Sequence, residues 1–238
     1  MCGIAGLISF DRRADAGELV RRMTAALAQR GPDGEGHWVA GEAALGHRRL
    51  AIIDVAGGAQ PLVNETGSVR VVCNGEIYNY RALRAELEAR GHRFQTASDC
   101  ETIVHLYEDD GPDGIARLHG MFALAIWDRT ARRLVLARDR LGIKPLFYTS
   151  GARGFGFASE IKALVAAGLT DRQVDPGALH HYLSCGYVPG TATIYQDVHR
   201  LGAGELLVLE GERVRRRPYW HCQPGVAHRS HAAAEEEL

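Results

Sequence analysis

The chain opens with an apolar run, GIAGLISF, whose length and glycines predict a short buried strand over 3–10. The spacing then changes from strand-like to helical. In DAGELVRRMTAALAQRG the apolar positions Leu19, Val20, Met23 and Leu27 fall on one helix face, and Gly31 supplies the stop. RGPDGEGHW is dense in turn residues and predicts a loop. AALGHRRLAIID and SVRVVCNGEIYN read as strands ending in polar turns. Two amphipathic helices follow, YRALRAELEARG and SDCETIVHLYEDDG, the second with Ser98 or Asp99 as its cap.

Hairpins dominate the second half. MFALAIWD and RRLVLARD flank RTA, and LFYTS pairs with FGFASE ahead of the helix EIKALVAAG. ALHHYLSCGY is a short helix, and ELLVLEGERVRRRPYW closes on a hairpin around Glu210 and Gly211. Strands joined as hairpins, with helices in blocks, favour antiparallel sheets carrying helices on their outer faces over a doubly wound parallel fold. From about Cys222 the character turns linker-like, and AAAEEEL reads as the start of a further helix.

Composition narrows the function. With 28 basic and 29 acidic side chains the net charge is −1, which gives no electrostatic case for nucleic acid or an anionic membrane. No apolar run approaches the roughly 18 residues of a membrane span, and no basic region precedes the first apolar stretch as in a signal peptide. Five scattered cysteines without a CxxC pair suggest reduced thiols and a cytoplasmic protein, with Cys73, Cys100 and Cys185 packing as small hydrophobes. His221, Cys222, His228 and His231 lack zinc spacing, so no metal site is expected there.

The chemistry starts at Cys2. A cysteine directly behind the initiator methionine is either an incidental small residue or, once the methionine is trimmed, a nucleophile carrying its own base. The thiolate attacks, and an α-amine titrates near 7.7–8.0, close to working pH. Arg48 and Arg49 each offer a planar fork for a carboxylate, or else lie solvated on the surface. Asn74 and Gly75 are either an oxyanion pair or an Asn-Gly turn. Glu76 and Asp99 suit an ammonium, or serve as cap and turn carboxylates. Taken together they describe a site that holds an α-amino acid while its side-chain amide is attacked, which points to glutamine.

MCGIAG, RGPDG, GHRRLAIID, GAQPL, NGEIYNY, SDCE, LHGMFALAIWD, RDRLGIKPLFY and FASEIKAL occur in this order. Over about 2–220 they resemble the glutaminase domain of glutamine-hydrolysing asparagine synthetases, a class II glutamine amidotransferase of the N-terminal-nucleophile hydrolase fold. The resemblance implies an α+β fold, a four-layer αββα sandwich. It also implies Cys2 as nucleophile, Asn74 and Gly75 as oxyanion donors, and glutamine held by Arg49, Glu76 and Asp99 with backbone atoms of Leu50, Ile52 and Ile53. The amine takes the role of base, so His47 and His119 are expected to pack or hydrogen-bond, and RGPDG to brace the site.

In such enzymes the ammonia passes to a C-terminal synthetase domain that activates aspartate with ATP and Mg2+. No SGGxDS-type pyrophosphate loop occurs in this sequence. The expected organisation is therefore an amidotransferase domain over 2–220, with 221–238 leading into a synthetase domain absent from this chain, and no cofactor of its own. The domain of another amidotransferase and a non-catalytic regulatory module are the alternatives. Relatives are often dimers, which leaves a homodimer open. RLGAGELLVL departs from the proline-rich turn usual at that point of the family.

Overall fold

The structure is a computed structural model that describes residues 1–10 and 15–223. Two antiparallel six-stranded sheets face each other. The strands are β1 (Gly3–Ser9), β2 (Gly34–Ala40), β3 (Ala43–Arg49), β4 (Leu62–Val63), β5 (Val69–Ile77), β6 (Gly120–Asp128), β7 (Arg133–Arg138), β8 (Phe147–Gly151), β9 (Gly154–Ala158), β10 (Val198–Arg200), β11 (Glu205–Glu210) and β12 (Arg213–Pro218). One sheet runs β10-β8-β9-β1-β3-β2 and the other β12-β11-β7-β6-β5-β4. The helices are α1 (Ala16–Ala25), α2 (Tyr80–Ala89), α3 (Thr102–Asp110), α4 (Ile161–Ala166) and α5 (Pro176–Cys185).

Strand alternation builds the layers, because successive side chains leave opposite faces of a sheet. Along β1, Ile4 and Ile8 join Leu45, Val72, Leu136, Phe155 and Phe157 between the sheets. Ala5 and Leu7 point the other way, onto Val20 and Met23 of α1 and Leu164 of α4. Val71, Cys73 and Ile77 of β5 pack outward against Leu83 and Leu87 of α2 and Ile103 and Leu106 of α3. These three apolar interfaces separate four layers, the αββα sandwich that the family resemblance implies.

Several local expectations are corrected. GEGHWVA, of which 34–38 fall in the predicted loop, is β2, and the short strands β4 and β10 were not legible. β3 ends at Arg49, so the apolar LAII segment is a loop, and Ile52 is 63% exposed. Leu50 to Ile53 carry strand-like residues, but no neighbouring strand pairs with them. Ser98 makes no capping side-chain bond, and the Asp99 carboxylate accepts from the Ile77 N–H at 2.7 Å instead. Cys185 is exposed at the end of α5 rather than packed, whereas Cys73 and Cys100 are buried. Of the predicted linker and its cysteine and histidine tract, His228 and His231 lie outside the described residues. Among the described residues, no helix is long and apolar enough to cross a membrane.

Candidate active site

The apolar layer between the sheets gives way at one end to a cleft of about 180 Å³. Cys2, Arg49, Leu50, Ile52, Ile53, Asn74, Gly75, Glu76 and Asp99 all line it, so the structure brings together every predicted site residue. Alternation explains why. Asn74 and Glu76 share the inward face of β5 with Val72, and Cys2 extends the inward series of Ile8 and Ile4. The same parity separates the two arginines. Arg49 follows Leu45 and His47 into the cleft, whereas Arg48 lies on the α1 face, donating to the Thr24 carbonyl at 3.1 Å and pairing with Glu35 at 2.8 Å.

The thiol of Cys2 sits against the backbone of Leu50, whose N–H donates to Sγ at 3.3 Å. Burial pushes the thiol above its ordinary range, opposed first by that N–H and more weakly by the terminal amine and Arg49. Arg30 holds the Cys2 carbonyl at 2.9 Å and is itself paired with Glu160 at 2.7 Å. RGPDG braces the loop as expected: the Asp33 carboxylate accepts from the Ala51 N–H at 2.9 Å. The guanidinium of Arg49 donates to the carbonyls of Ile53, Asp54 and Val55, and so shapes the loop it borders.

Asn74 is 1% exposed, and its Nδ2 is buried without a hydrogen-bond partner. Next to it, a side chain on Gly75 would meet the Met121 carbonyl at 2.2 Å, so only glycine fits against β6. The backbone of β5 changes partner here. Gln60 fills the edge at Cys73, accepting from its N–H at 2.6 Å and donating to its carbonyl at 3.1 Å, and Asp99 takes the Ile77 N–H. The Gly75 N–H has the same edge-facing parity and lies between these two satisfied amides, facing the cleft. Gln60 reaches this place because Gly36 lets its carbonyl approach β2; a Cβ there would stand 1.8 Å from that oxygen.

Glu76 and Asp99 are both held above the usual carboxylate range. Burial is the main cause for each; for Glu76 the Asp99 charge adds to it and Lys144 opposes it, while for Asp99 the Ile77 N–H opposes it. His47 is buried, with Nε2 3.2 Å from the Cys73 carbonyl, and burial pushes its ring down to about 4. It is a packing and hydrogen-bonding residue. His119 is exposed and contributes only backbone bonds, to Tyr78 and Asn79.

Gln60, Ser98, Met121 and Lys144 also line the cleft and carry no role in the site from sequence. Gln60 and Lys144 lie within the GAQPL and RDRLGIKPLFY motifs, which was the available signal. Lys144 is nearly buried, on a turn whose Leu141, Ile143 and Lys144 N–H groups all donate to the Asp139 carboxylate. Its ammonium lies 3.5 Å from the Met1 sulfur, and Met1 fills part of the cleft.

With this geometry in place, comparison with known proteins is direct. Asparagine synthetase 3 (glutamine-hydrolysing) of Bacillus subtilis strain 168 is 36% identical over 228 residues, covering 94% of this chain and 37% of that protein. Asparagine synthetase B (glutamine-hydrolysing) of Escherichia coli K12 is 42% identical over 182 residues, covering 75% of this chain and 32% of that protein. The chain thus spans about a third of the length of the curated relatives it matches. Among solved structures, the glutamine phosphoribosylpyrophosphate amidotransferase of B. subtilis shares the fold, with a TM-score of 0.68 at 22% identity over 92% of this chain and 49% of that one. A sequence model of the glutamine amidotransferase domain matches residues 1–220, and the chain belongs to that family.

Proposed function

We propose that this domain hydrolyses L-glutamine to glutamate and ammonia through Cys2, as the glutaminase half of an asparagine synthetase-type enzyme. Removal of Met1 frees the α-amine of Cys2 and vacates part of the cleft. The amine accepts the thiol proton, directly or through a water, which the buried thiol does not lose readily by itself. The thiolate adds to the side-chain amide carbon of glutamine. Asn74 Nδ2 and the Gly75 N–H stabilise the resulting oxyanion. As the C–N bond breaks, the ammonium of Cys2 returns its proton to the departing ammonia. Water then hydrolyses the thioester, releasing glutamate and the free thiol.

Arg49 receives the substrate carboxylate while bracing its loop, and backbone atoms of Leu50, Ile52 and Ile53 complete the contacts. Glu76 and Asp99 receive the ammonium. Two neighbouring carboxyls, both raised, gain most from a cation placed between them. The observation that carries the reading is the orphaned, buried Asn74 Nδ2 in the same cleft as the Cys2 thiol. A buried donor without a partner costs about 1–3 kcal/mol, a cost that a developing oxyanion relieves.

The names of the relatives, and the two-thirds of their length beyond the match, support a synthetase domain as the ammonia acceptor; its use of ATP and Mg2+ to amidate aspartate is what the family resemblance implies. On this reading the amidotransferase unit covers 2–220, and 221–238 leads towards that domain. The test is intact mass before and after the glutamine analogue 6-diazo-5-oxo-norleucine. The expected result is a chain lacking methionine that takes one adduct, mapped to Cys2 and lost in Cys2→Ala. Retained methionine with no adduct and no glutaminase activity would overturn it.

A further inference from the structure

A second group of polar side chains lies outside the cleft. Glu65 is in the turn between β4 and β5, His92 in the connection from α2 to α3, and His105 and Glu108 stand one helical turn apart on α3. One ligand atom from each can be chosen so that all four lie within 4.8 Å of one another. The His105 side chain is fully buried, while those of His92, Glu108 and Glu65 are 14%, 22% and 28% exposed. The group is therefore enclosed on the protein side and reachable from solvent.

The spacings within it are the informative feature. His105 Nδ1 is 3.4 Å from both Glu65 Oε2 and Glu108 Oε2, and His92 Nδ1 is 3.7 Å from Glu65 Oε1 and from Glu108 Oε2. Charge-assisted N–H···O bonds close to about 2.7–2.9 Å, and all four contacts stop short of that. Ligands of a tetrahedral cation with bonds of about 2.0–2.2 Å stand roughly 3.3–3.6 Å from one another. With one oxygen taken from each carboxylate, His105 Nδ1 stands 3.4 Å from both Oε2 atoms and His92 Nδ1 3.7 Å from Glu108 Oε2, near the separations that an ion requires.

The same side chains also make contacts outside the group. His92 Nε2 is 3.0 Å from Asp109 Oδ1, Glu65 Oε1 accepts from the Arg93 N–H at 2.6 Å, and Glu108 Oε1 accepts from Asn64 Nδ2 at 2.6 Å. His105 Nε2 faces Glu101 Oε1 at 3.7 Å, and Glu101 is itself fixed by the Gln95 and Thr96 amides at 2.6 and 2.7 Å. A carboxylate behind an imidazole sets its tautomer and aims the other nitrogen, the usual support of a metal-binding histidine. His92 has one in Asp109, hydrogen-bonded to Nε2 at 3.0 Å, whereas Glu101 stands behind His105 at 3.7 Å without a hydrogen bond.

We propose that Glu65, His92, His105 and Glu108 bind a divalent transition cation of the zinc class, through the two Nδ1 atoms and one oxygen of each carboxylate. Two imidazoles favour zinc over magnesium or calcium, and two carboxylates balance its charge. The ion ties the β4–β5 turn and the segment leading to Asp99 onto α3. Its ligands come from three separate segments, so no short motif announces it. It is independent of the glutaminase reading.

The experiment uses the full chain stripped of metal by a chelator, then titrated with Zn2+ by calorimetry and with Co2+ by visible absorption. One equivalent should bind, with tetrahedral Co2+ bands that lack thiolate charge transfer, and Zn2+ should raise the melting temperature. His92→Gln and Glu108→Gln, both at partly exposed positions, should keep the far-UV circular dichroism of the wild type. Each should weaken Zn2+ binding by at least about tenfold and remove the thermal shift. Cys2→Ala should bind Zn2+ like the wild type. Unchanged affinity in both ligand variants, or no saturable binding below millimolar Zn2+, would overturn the site and leave the four residues as an ion-pair cluster.

Discussion

The inter-sheet core and the cleft are built from the same strands, yet they obey opposite rules. Ile4 and Val72 face inward and are fully buried among apolar neighbours. One strand period further along, Cys2 and Asn74 face the same way and meet a thiol pushed up by burial and an amide nitrogen without a partner. Close packing of apolar groups stabilises the core. The cleft is desolvated with only part of that cost compensated, and the remainder is what a bound substrate can relieve. The packed layer supplies the rigidity that holds the unsatisfied groups in place.

Breaking the comparison at the nucleophile should produce the largest effect. Cys2→Ala is expected to reduce glutaminase activity by at least about ten-thousand-fold while moving the urea midpoint by less than ~1 kcal/mol equivalent, checked by ammonia release and by denaturation. Phe157→Ala tests the core side. Its ring lies over Gly6 of β1 and is fully buried, so stability should fall by about 3–5 kcal/mol in urea unfolding, with the folded fraction still taking the Cys2 adduct. Asn74→Ala should lower kcat by about a hundred- to a thousand-fold, with stability changed by under ~1 kcal/mol because no hydrogen bond is lost at Nδ2. A large loss of stability with intact kcat would make Asn74 a core residue instead.

The smallest effect is a pH dependence at the border of the two regions. His47 is held neutral by burial, near 4 against an ordinary value of 6.5. The unfolded chain therefore takes up the proton first as pH falls. Stability is full above about pH 6.5 and declines by up to about 3 kcal/mol as pH drops through 4. In His47→Gln that part of the acid slope should disappear; parallel pH–stability curves for the two proteins would exclude the ring as its source.

Much of this was legible because it is periodic. Alternation in MFALAIWD and RRLVLARD, and helical spacing in YRALRAELEARG, survive in the structure as β6, β7 and α2. GEGHWVA was missed because its glycines and polar residues carry turn chemistry, although Gly36 serves the close approach of Gln60 rather than a turn. LAII was misjudged for the converse reason: its residues suit a strand, but Asp33, Arg49 and Asp54 hold its backbone and its neighbours in a loop. Gln60 and Lys144 lie within recognisable motifs, but their contacts with Cys73 and Met1 come from distant segments that no local periodicity encodes.

The sequence by itself determined the layered α+β architecture and the chemical types at the cleft, since both follow from local periodicity and residue identity. Only the tertiary structure decided that Arg49 rather than Arg48 enters the cleft, that Asn74 keeps its amide free of partners, and that Glu65, His92, His105 and Glu108 converge. Each of those depends on strand parity, on where a strand stops, and on which distant segments pack together. These are properties of long-range packing, and residue order along one segment does not contain them.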